Sequence, residues 1–185
     1  MKKIIRKKLR EDLKYYHVKG DVRNDEYELG EDIVVPTLSL PSEVDLTNED
    51  KEQIKVLDYK DIDLEPQNET SPVKIKVSLP LDKDLSSGIA LDIALVGDVF
   101  YQPHISLDKS LRGLGLGYKI YKALIMDFGH IYSGKGRRFN TREIPKILEK
   151  LKNEPGITCV SNEIADLCIA NNNPDKDKLL SAFGY

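Results

Sequence analysis

At 185 residues and 21.0 kDa the chain has the length of about one domain, long enough to bury a core and too short for two full domains. With 40% apolar residues, a mean hydropathy of -0.41 and no apolar run near the roughly 18 residues of a membrane-spanning helix, the pattern argues against an integral membrane role. The formal net charge of -3 conceals a division: residues 1–20 carry eight lysines and arginines against two acids, residues 21–69 four against sixteen, and residues 70–185 sixteen against thirteen. A block so rich in like charges and poor in aromatics does not easily bury a core, so a three-part organisation is expected: 1–19, 20–70 and 71–185.

Residues 1–19 read as a basic amphipathic helix, because Ile5, Leu9, Leu13 and Tyr16 recur at near-helical spacing. The stretch lacks the roughly 7–15-residue apolar centre and small-residue cleavage site of a secretory signal. Three uses stay open for it: docking on a protein partner or acidic surface, a solvated tail, and a nucleic-acid or membrane-surface arm. The last calls for more interleaved aromatic or arginine residues, so nucleic acid is disfavoured as a partner. Residues 20–70 read as an acidic linker or extension broken by Gly20, Gly30, Pro36, Pro41 and Pro66, with Ile33-Val34-Val35 and Gln53-Ile54-Lys55-Val56-Leu57 as short edge strands.

From Ser71 the texture turns β-rich. Val73 to Leu79 alternates at period two, Gly88 to Val96 is more continuously apolar and therefore more central, and Val99 to Leu107 is a third strand whose Pro103 predicts a bulge or bend. Three consecutive strands suggest an antiparallel meander. A helix then starts near Gly115, with Ile120, Ala123, Leu124 and Phe128 on one stripe. His130 to Ser133 is a short strand, and Lys135, Arg137 and Arg138 form a basic loop. A second helix follows, with its start at Asn140 to Glu143, its buried stripe at Ile144, Ile147, Leu148 and Leu151, and its end at Pro155-Gly156. Ile157 to Val160 and Ala165 to Ala170 flank Ser161-Asn162-Glu163 as a hairpin. Cys159 and Cys168 stand nine apart with no CxxC, which suggests neither a disulfide framework nor a zinc site and fits a reducing, cytoplasmic setting.

The stretch between the third strand and its helix carries the chemistry. A glycine-rich strand-to-helix turn is an anion cradle: glycines let backbone N–H groups approach a phosphate, and the helix dipole adds partial positive charge. A Walker loop needs GxxxxGK followed by Ser or Thr, which is absent; a dinucleotide fingerprint from Gly113 needs glycine where Tyr118 stands. What remains is Arg-x-x-Gly-x-Gly, spelled by Arg112, Gly115 and Gly117. A glycine turn that merely joins a strand to a helix is the plain alternative.

Residues 105–125 resemble the pyrophosphate loop of the GNAT superfamily of acetyl-CoA-dependent N-acetyltransferases, whose pattern is strand, short polar turn, Arg-Gly-x-Gly-aliphatic-Gly, then amphipathic helix. The resemblance extends over about residues 73–170. It implies an α/β (α+β) fold with a mixed, mostly antiparallel central sheet and flanking helices, and acetyl-CoA as cofactor. By position, main-chain N–H groups of Arg112, Gly113, Leu114, Gly115, Leu116, Gly117 and Tyr118 would meet the pyrophosphate. Ile105 and Leu107 would offer strand backbone to the pantetheine arm, with one N–H there holding the acetyl carbonyl. The family's proton-donating tyrosine on the late helix would fall on Ile147, or on Leu180 in an alternative alignment that places Asn173 to Tyr185 there.

For acetyl transfer to an amine of a small-molecule or protein acceptor, a base or water chain must reach the amine and the thiolate must be protonated. His104 precedes the strand segment expected to face the acetyl group. Tyr101 on the same strand and Tyr132-Ser133 on the next are alternative donors, and Asp92, mid-strand, is a further carboxylate to weigh. Lys135, Arg137 and Arg138 either hold a CoA phosphate or an acidic acceptor, or form a solvated loop. His17 and His130 belong to no ligand constellation, and no metal is implied. A rival reading is a non-catalytic GNAT-fold binding or structural module, with a lysine-rich leader similar to those of phage-encoded, virion-associated proteins.

Overall fold

The computed structural model describes residues 17–18, 41–66, 73–77, 83–96, 99–135 and 143–185, and they form a mixed α+β architecture. Eight strands and four α-helices are described, in the order β1 (His17–Val18), α1 (Asn48–Val56), β2 (Ile62–Pro66), β3 (Val73–Val77), β4 (Ile89–Val96), β5 (Phe100–Leu107), α2 (Leu116–Phe128), β6 (His130–Gly134), α3 (Ile144–Lys152), β7 (Ile157–Ser161), β8 (Ala165–Ala170) and α4 (Lys176–Phe183).

The apolar run of β4 explains its place: Ile89, Ala90, Leu91, Ile93 and Val96 are all buried. It pairs antiparallel with β5 in an unbroken register from Ile89 opposite Leu107 to Val96 opposite Phe100. The bulge expected at Pro103 is absent from this ladder, where Pro103 simply faces Ile93. The reason lies in the alternation of backbone direction. Asp108 N–H donates to Gly88 O at 2.9 Å, extending the ladder by one pair, so even-numbered residues of β5 turn their backbone toward β4. Proline's missing N–H therefore falls on the opposite edge and costs β4 nothing. The other edge of β4 carries the parallel pairing of His17 with Leu95 and Val18 with Val96. Those two residues are strand rather than helix; the rest of the basic 1–19 segment lies outside the described residues. Among the described residues β3 pairs with β2 rather than β4, so the three-strand meander is replaced by two hairpins.

The acidic segment differs most from expectation. Gln53 to Leu57, expected as an edge strand, belongs to α1 and its C-cap; Ile33-Val34-Val35 lies outside the described residues. A capping box starts the helix, with Thr47 Oγ1 accepting from Asp50 N–H at 3.1 Å and Asp50 Oδ2 accepting from Thr47 N–H at 2.8 Å. Lys83 Nζ lies 2.6 Å from the same carboxylate, and this bond and the capping bond from Thr47 hold the Asp50 pKa low. Ile54 is fully buried, and with Val44, Leu57 and Ile62 it joins the core beneath α2. Residues 41–66 are thus part of the folded body, not a linker to it. At the far end of α1, Lys119 Nζ donates to Ile54 O at 2.6 Å and Lys55 O at 2.8 Å.

The second half matches its periodicity. All four residues of the α2 stripe are buried, as are Leu148 and Leu151 of α3. Strands β6, β8 and β7 form an antiparallel sheet with the last strand, β8, in the middle. The separate thiols expected at Cys159 and Cys168 are overturned: the two residues stand directly opposite in the β7–β8 ladder, with Cα atoms 4.1 Å apart, and form a disulfide. A second, smaller core gathers Val96, Tyr132, Leu167, Leu179 and Phe183 against Phe100 under α4.

Candidate functional site

The loop expected to bind an anion is built in three steps. Asp108 ends β5 and caps a short 3-10 turn over Lys109–Leu111, its Oδ2 accepting from Ser110 N–H at 3.0 Å and Ser110 Oγ–H at 2.5 Å, bonds that hold its carboxyl below the usual range. Leu111, fully buried, anchors the turn. Gly113 and Gly115 then adopt φ of 76° and 79°, a left-handed conformation that costs other residues roughly 1–2 kcal/mol.

Gly115 is the N-cap of α2 and has no side chain to cap it; the first turn also lacks an acid. The N–H groups of Leu116, Gly117 and Tyr118 have no intrahelical acceptor, and Lys119 N–H is the first to find one, at Gly115 O. A Cβ at Gly113 or Gly115 would meet nothing within 4 Å, so the cradle is open outward. At Gly117, by contrast, a Cβ would lie 3.4 Å from Ile147 and 3.9 Å from Leu107, which shows how closely α2 seats on α3 and β5. Tyr118 OH donates to Glu154, which also takes Lys122 Nζ at 2.5 Å, tying the first turns of α2 to the end of α3. Exposed Arg112 folds back so that Nε donates to Leu107 O at 2.9 Å, placing its guanidinium beside the cradle.

The same alternation that turns even residues of β5 toward β4 turns Tyr101, Ile105 and Leu107 toward the other edge. Beyond Tyr101 no described strand pairs with that edge, although β5 touches β6. A side chain of β6 reaches the backbone of this edge. His130 is buried, its ring stacked 4.9 Å from that of Tyr101, and its Nε2 lies 3.3 Å from Tyr101 N and 3.1 Å from Val99 O. Ile105 and Leu107 therefore present backbone donors along an edge that leads directly into the glycine cradle.

The catalytic candidates are not brought together. Tyr101 lies on the core face of β5, buried between the Phe128 and His130 rings. His104 lies on the opposite face with Gln102, and desolvation lowers its pKa, which favours the neutral imidazole. Asp92 stands opposite His104 in the ladder. Ser133 is buried on β6 opposite Asp166, and Tyr132 is buried in the second core, stacked on Phe100 at 5.2 Å. Lys135 is engaged elsewhere: Nζ donates to Ser161 Oγ at 2.7 Å and Asn162 O at 2.5 Å and lies 3.8 Å from Asp166. Arg137 and Arg138 lie outside the described residues. Ile147 packs beside Gly117, and Leu180 flanks the second core.

Sequence reasoning missed His130, Lys119 and Asn173. A lone histidine opening a strand carries no pattern, and its use becomes visible only with β5 beside it. Asn173 was weighed only as part of an alternative helix; it donates from Nδ2 to Gly129 O at 3.1 Å and closes the far end of α2.

Among the described residues no group of three or more His, Cys, Asp or Glu is placed to hold a metal, and no helix is long and apolar enough to cross a membrane. In comparisons with known proteins, no family model, curated protein or solved structure matches the chain.

Proposed function

We propose that the chain binds acetyl-CoA along the outer edge of β5 and transfers the acetyl group to an amine, as a member of the GNAT superfamily that residues 105–125 resemble. One observation carries the reading: a strand edge that no described strand pairs with, with outward N–H groups at Ile105 and Leu107, runs straight into a positive-φ glycine cradle at the start of α2 that has no N-cap side-chain bond. The two halves match a ligand that has an extended amide-bearing arm at one end and a pyrophosphate at the other. Nothing acidic competes for the cradle in the first turn of α2.

In this reading the N–H groups from Arg112 to Tyr118 receive the pyrophosphate, and the Arg112 guanidinium adds charge beside it. Ile105 and Leu107 align the arm, and a strand N–H polarises the thioester carbonyl. Acetyl-CoA supplies the activated acyl group: the amine nitrogen forms a bond to the carbonyl carbon, the C–S bond breaks, and the amine gives up one proton while the thiolate takes one. His104, kept neutral by burial, is the candidate to accept that proton. Rate enhancement then rests mainly on positioning.

Ile147 favours a second reading, a binding module without turnover. It stands where the family's proton-donating tyrosine falls by position, and its methyl group packs near Gly117. Calorimetric titration with acetyl-CoA followed by a free-thiol assay over a panel of amines separates the two. Binding with thiol release supports transfer, binding alone supports the module, and no binding removes both. Arg112→Glu is expected to abolish binding with little change in melting temperature, because the side chain is exposed; unchanged affinity returns the loop to a plain connection.

A further inference from the structure

In a parallel strand pair, one residue of the neighbour donates its N–H to a carbonyl and accepts from the N–H two residues further along the same strand. On the outer edge of β5 the first such pair of groups is Val99 O and Tyr101 N–H. Both lie within hydrogen-bond reach of one atom of a side chain, His130 Nε2, at 3.1 Å and 3.3 Å. The imidazole stands where the neighbour's peptide would stand. Its two tautomers serve one group each, donating to Val99 O or accepting from Tyr101 N–H. Stacking on Tyr101 at 4.9 Å and an edge contact with Phe100 at 6.3 Å fix the ring there.

The next pair along this edge would be Tyr101 O with the N–H of residue 103, and residue 103 is proline. The chain withholds the donor at the very step where the ladder would continue. Pro103 does no harm on the β4 side, where the eight-pair register runs through it unbroken.

We infer that His130 and Pro103 are positioning residues which together end the β5–β6 seam at Tyr101. The imidazole substitutes for backbone at the last bonded position, the proline removes the following one, and the N–H groups of Ile105 and Leu107 stay available to a ligand. The staple itself stands on geometry; its value to the ligand rests on the proposed binding of acetyl-CoA.

The test separates those two layers. Residue-resolved amide hydrogen exchange is measured on the full chain, wild type and His130→Phe, which keeps the ring and loses the nitrogen. Tyr101 N–H is expected to exchange on the order of fivefold to tenfold faster in the variant, while Gln102 and His104, bonded to β4, keep their rates. His130→Gln, whose amide can both donate and accept, is expected to restore Tyr101 protection. In Pro103→Ala the new amide at position 103 is expected to be protected as the seam lengthens, and acetyl-CoA affinity by calorimetry to fall about tenfold at an unchanged melting temperature.

Equal Tyr101 rates in wild type and His130→Phe, or an unprotected amide at 103 with wild-type affinity, would overturn the assignment. Should His130→Phe fail to fold, Pro103→Ala and His130→Gln still decide it. If wild type does not bind acetyl-CoA, the proposed function falls while the exchange rates still judge the staple.

Discussion

Helix α2 begins and ends on glycines of the same conformation, and the two ends are otherwise opposites. Gly115, with φ of 79°, has open space around it and leaves three N–H groups of the first turn without intrahelical acceptors. Gly129, with φ of 87°, donates to Ile125 O at 2.8 Å and gives its own carbonyl to Asn173 Nδ2 and to Ala170 N–H. A Cβ on Gly129 would lie 2.6 Å from that Asn173 nitrogen. One end is closed by the protein's own groups, and the other is the end at which an anion is proposed to bind. Left-handed backbone alone does not distinguish a structural glycine from a binding one; the space around it and the satisfaction of neighbouring polar groups do.

The largest effect expected on this contrast comes from Gly129→Ala. It combines left-handed strain with a collision against a side chain held by bonds at both ends, since Asn173 Oδ1 also accepts from Asp175 N–H at 3.0 Å. A loss of roughly 2–4 kcal/mol is expected in denaturant unfolding, with acetyl-CoA affinity of the folded protein unchanged. Gly115→Ala is expected to cost less stability, about 1–2 kcal/mol, because the added methyl meets nothing. Its effect on acetyl-CoA titration is the opposite of its neighbour's: about tenfold weaker binding or more, as the methyl intrudes on the cradle. Equal affinity losses in both variants would dissolve the distinction.

The smallest effect is in pH, and it bears on β5 rather than on either end of α2. Burial lowers the His104 pKa in the folded protein below the ordinary 6.5. Above that value both states are neutral there and pH has no leverage. Below it the unfolded chain takes a proton that the folded one refuses, so stability falls as pH drops through the window beneath 6.5. Asp50 and Asp108, held below 3.8, stay ionised throughout that window. The fall in melting temperature between about pH 7 and about pH 5.5 should flatten in His104→Gln, measured against wild type.

How much of this was legible in the sequence depended on how far each element speaks for itself. The β4 and β5 runs, the stripes of α2 and α3 and the β7–β8 hairpin were readable because burial follows period. In α1 the same logic misled: Gln53 to Leu57 alternates like a strand, yet Ile54 is buried whereas Val56 is 82% exposed. Its capping box uses Asp50 at the third position, a weaker signal than Glu. The disulfide was concealed by a spacing that fits no motif, although a hairpin turning at Asn162–Ile164 sets Cys159 against Cys168. The loop from Arg112 to Gly117 announced itself through its glycines. The strand edge beside it did not, because which backbone groups face outward follows from the register with β4 and from a histidine 29 positions from Tyr101.

The bond from Lys119 to the last carbonyls of α1 spans 65 and 64 positions. A helix end needs partners for those carbonyls; Gln53 O has its partner locally in Leu57 N–H, whereas Ile54 O and Lys55 O meet theirs in the first turn of α2. During synthesis the acidic segment leaves the ribosome long before its terminator does, and a nine-residue helix is too short to hold in water by itself. Its stability in the native state therefore rests on packing and hydrogen bonding against α2. A chain ending before residue 119 would lack the side chain that meets Ile54 O and Lys55 O, so α1 would lose those two bonds at its C-terminal end.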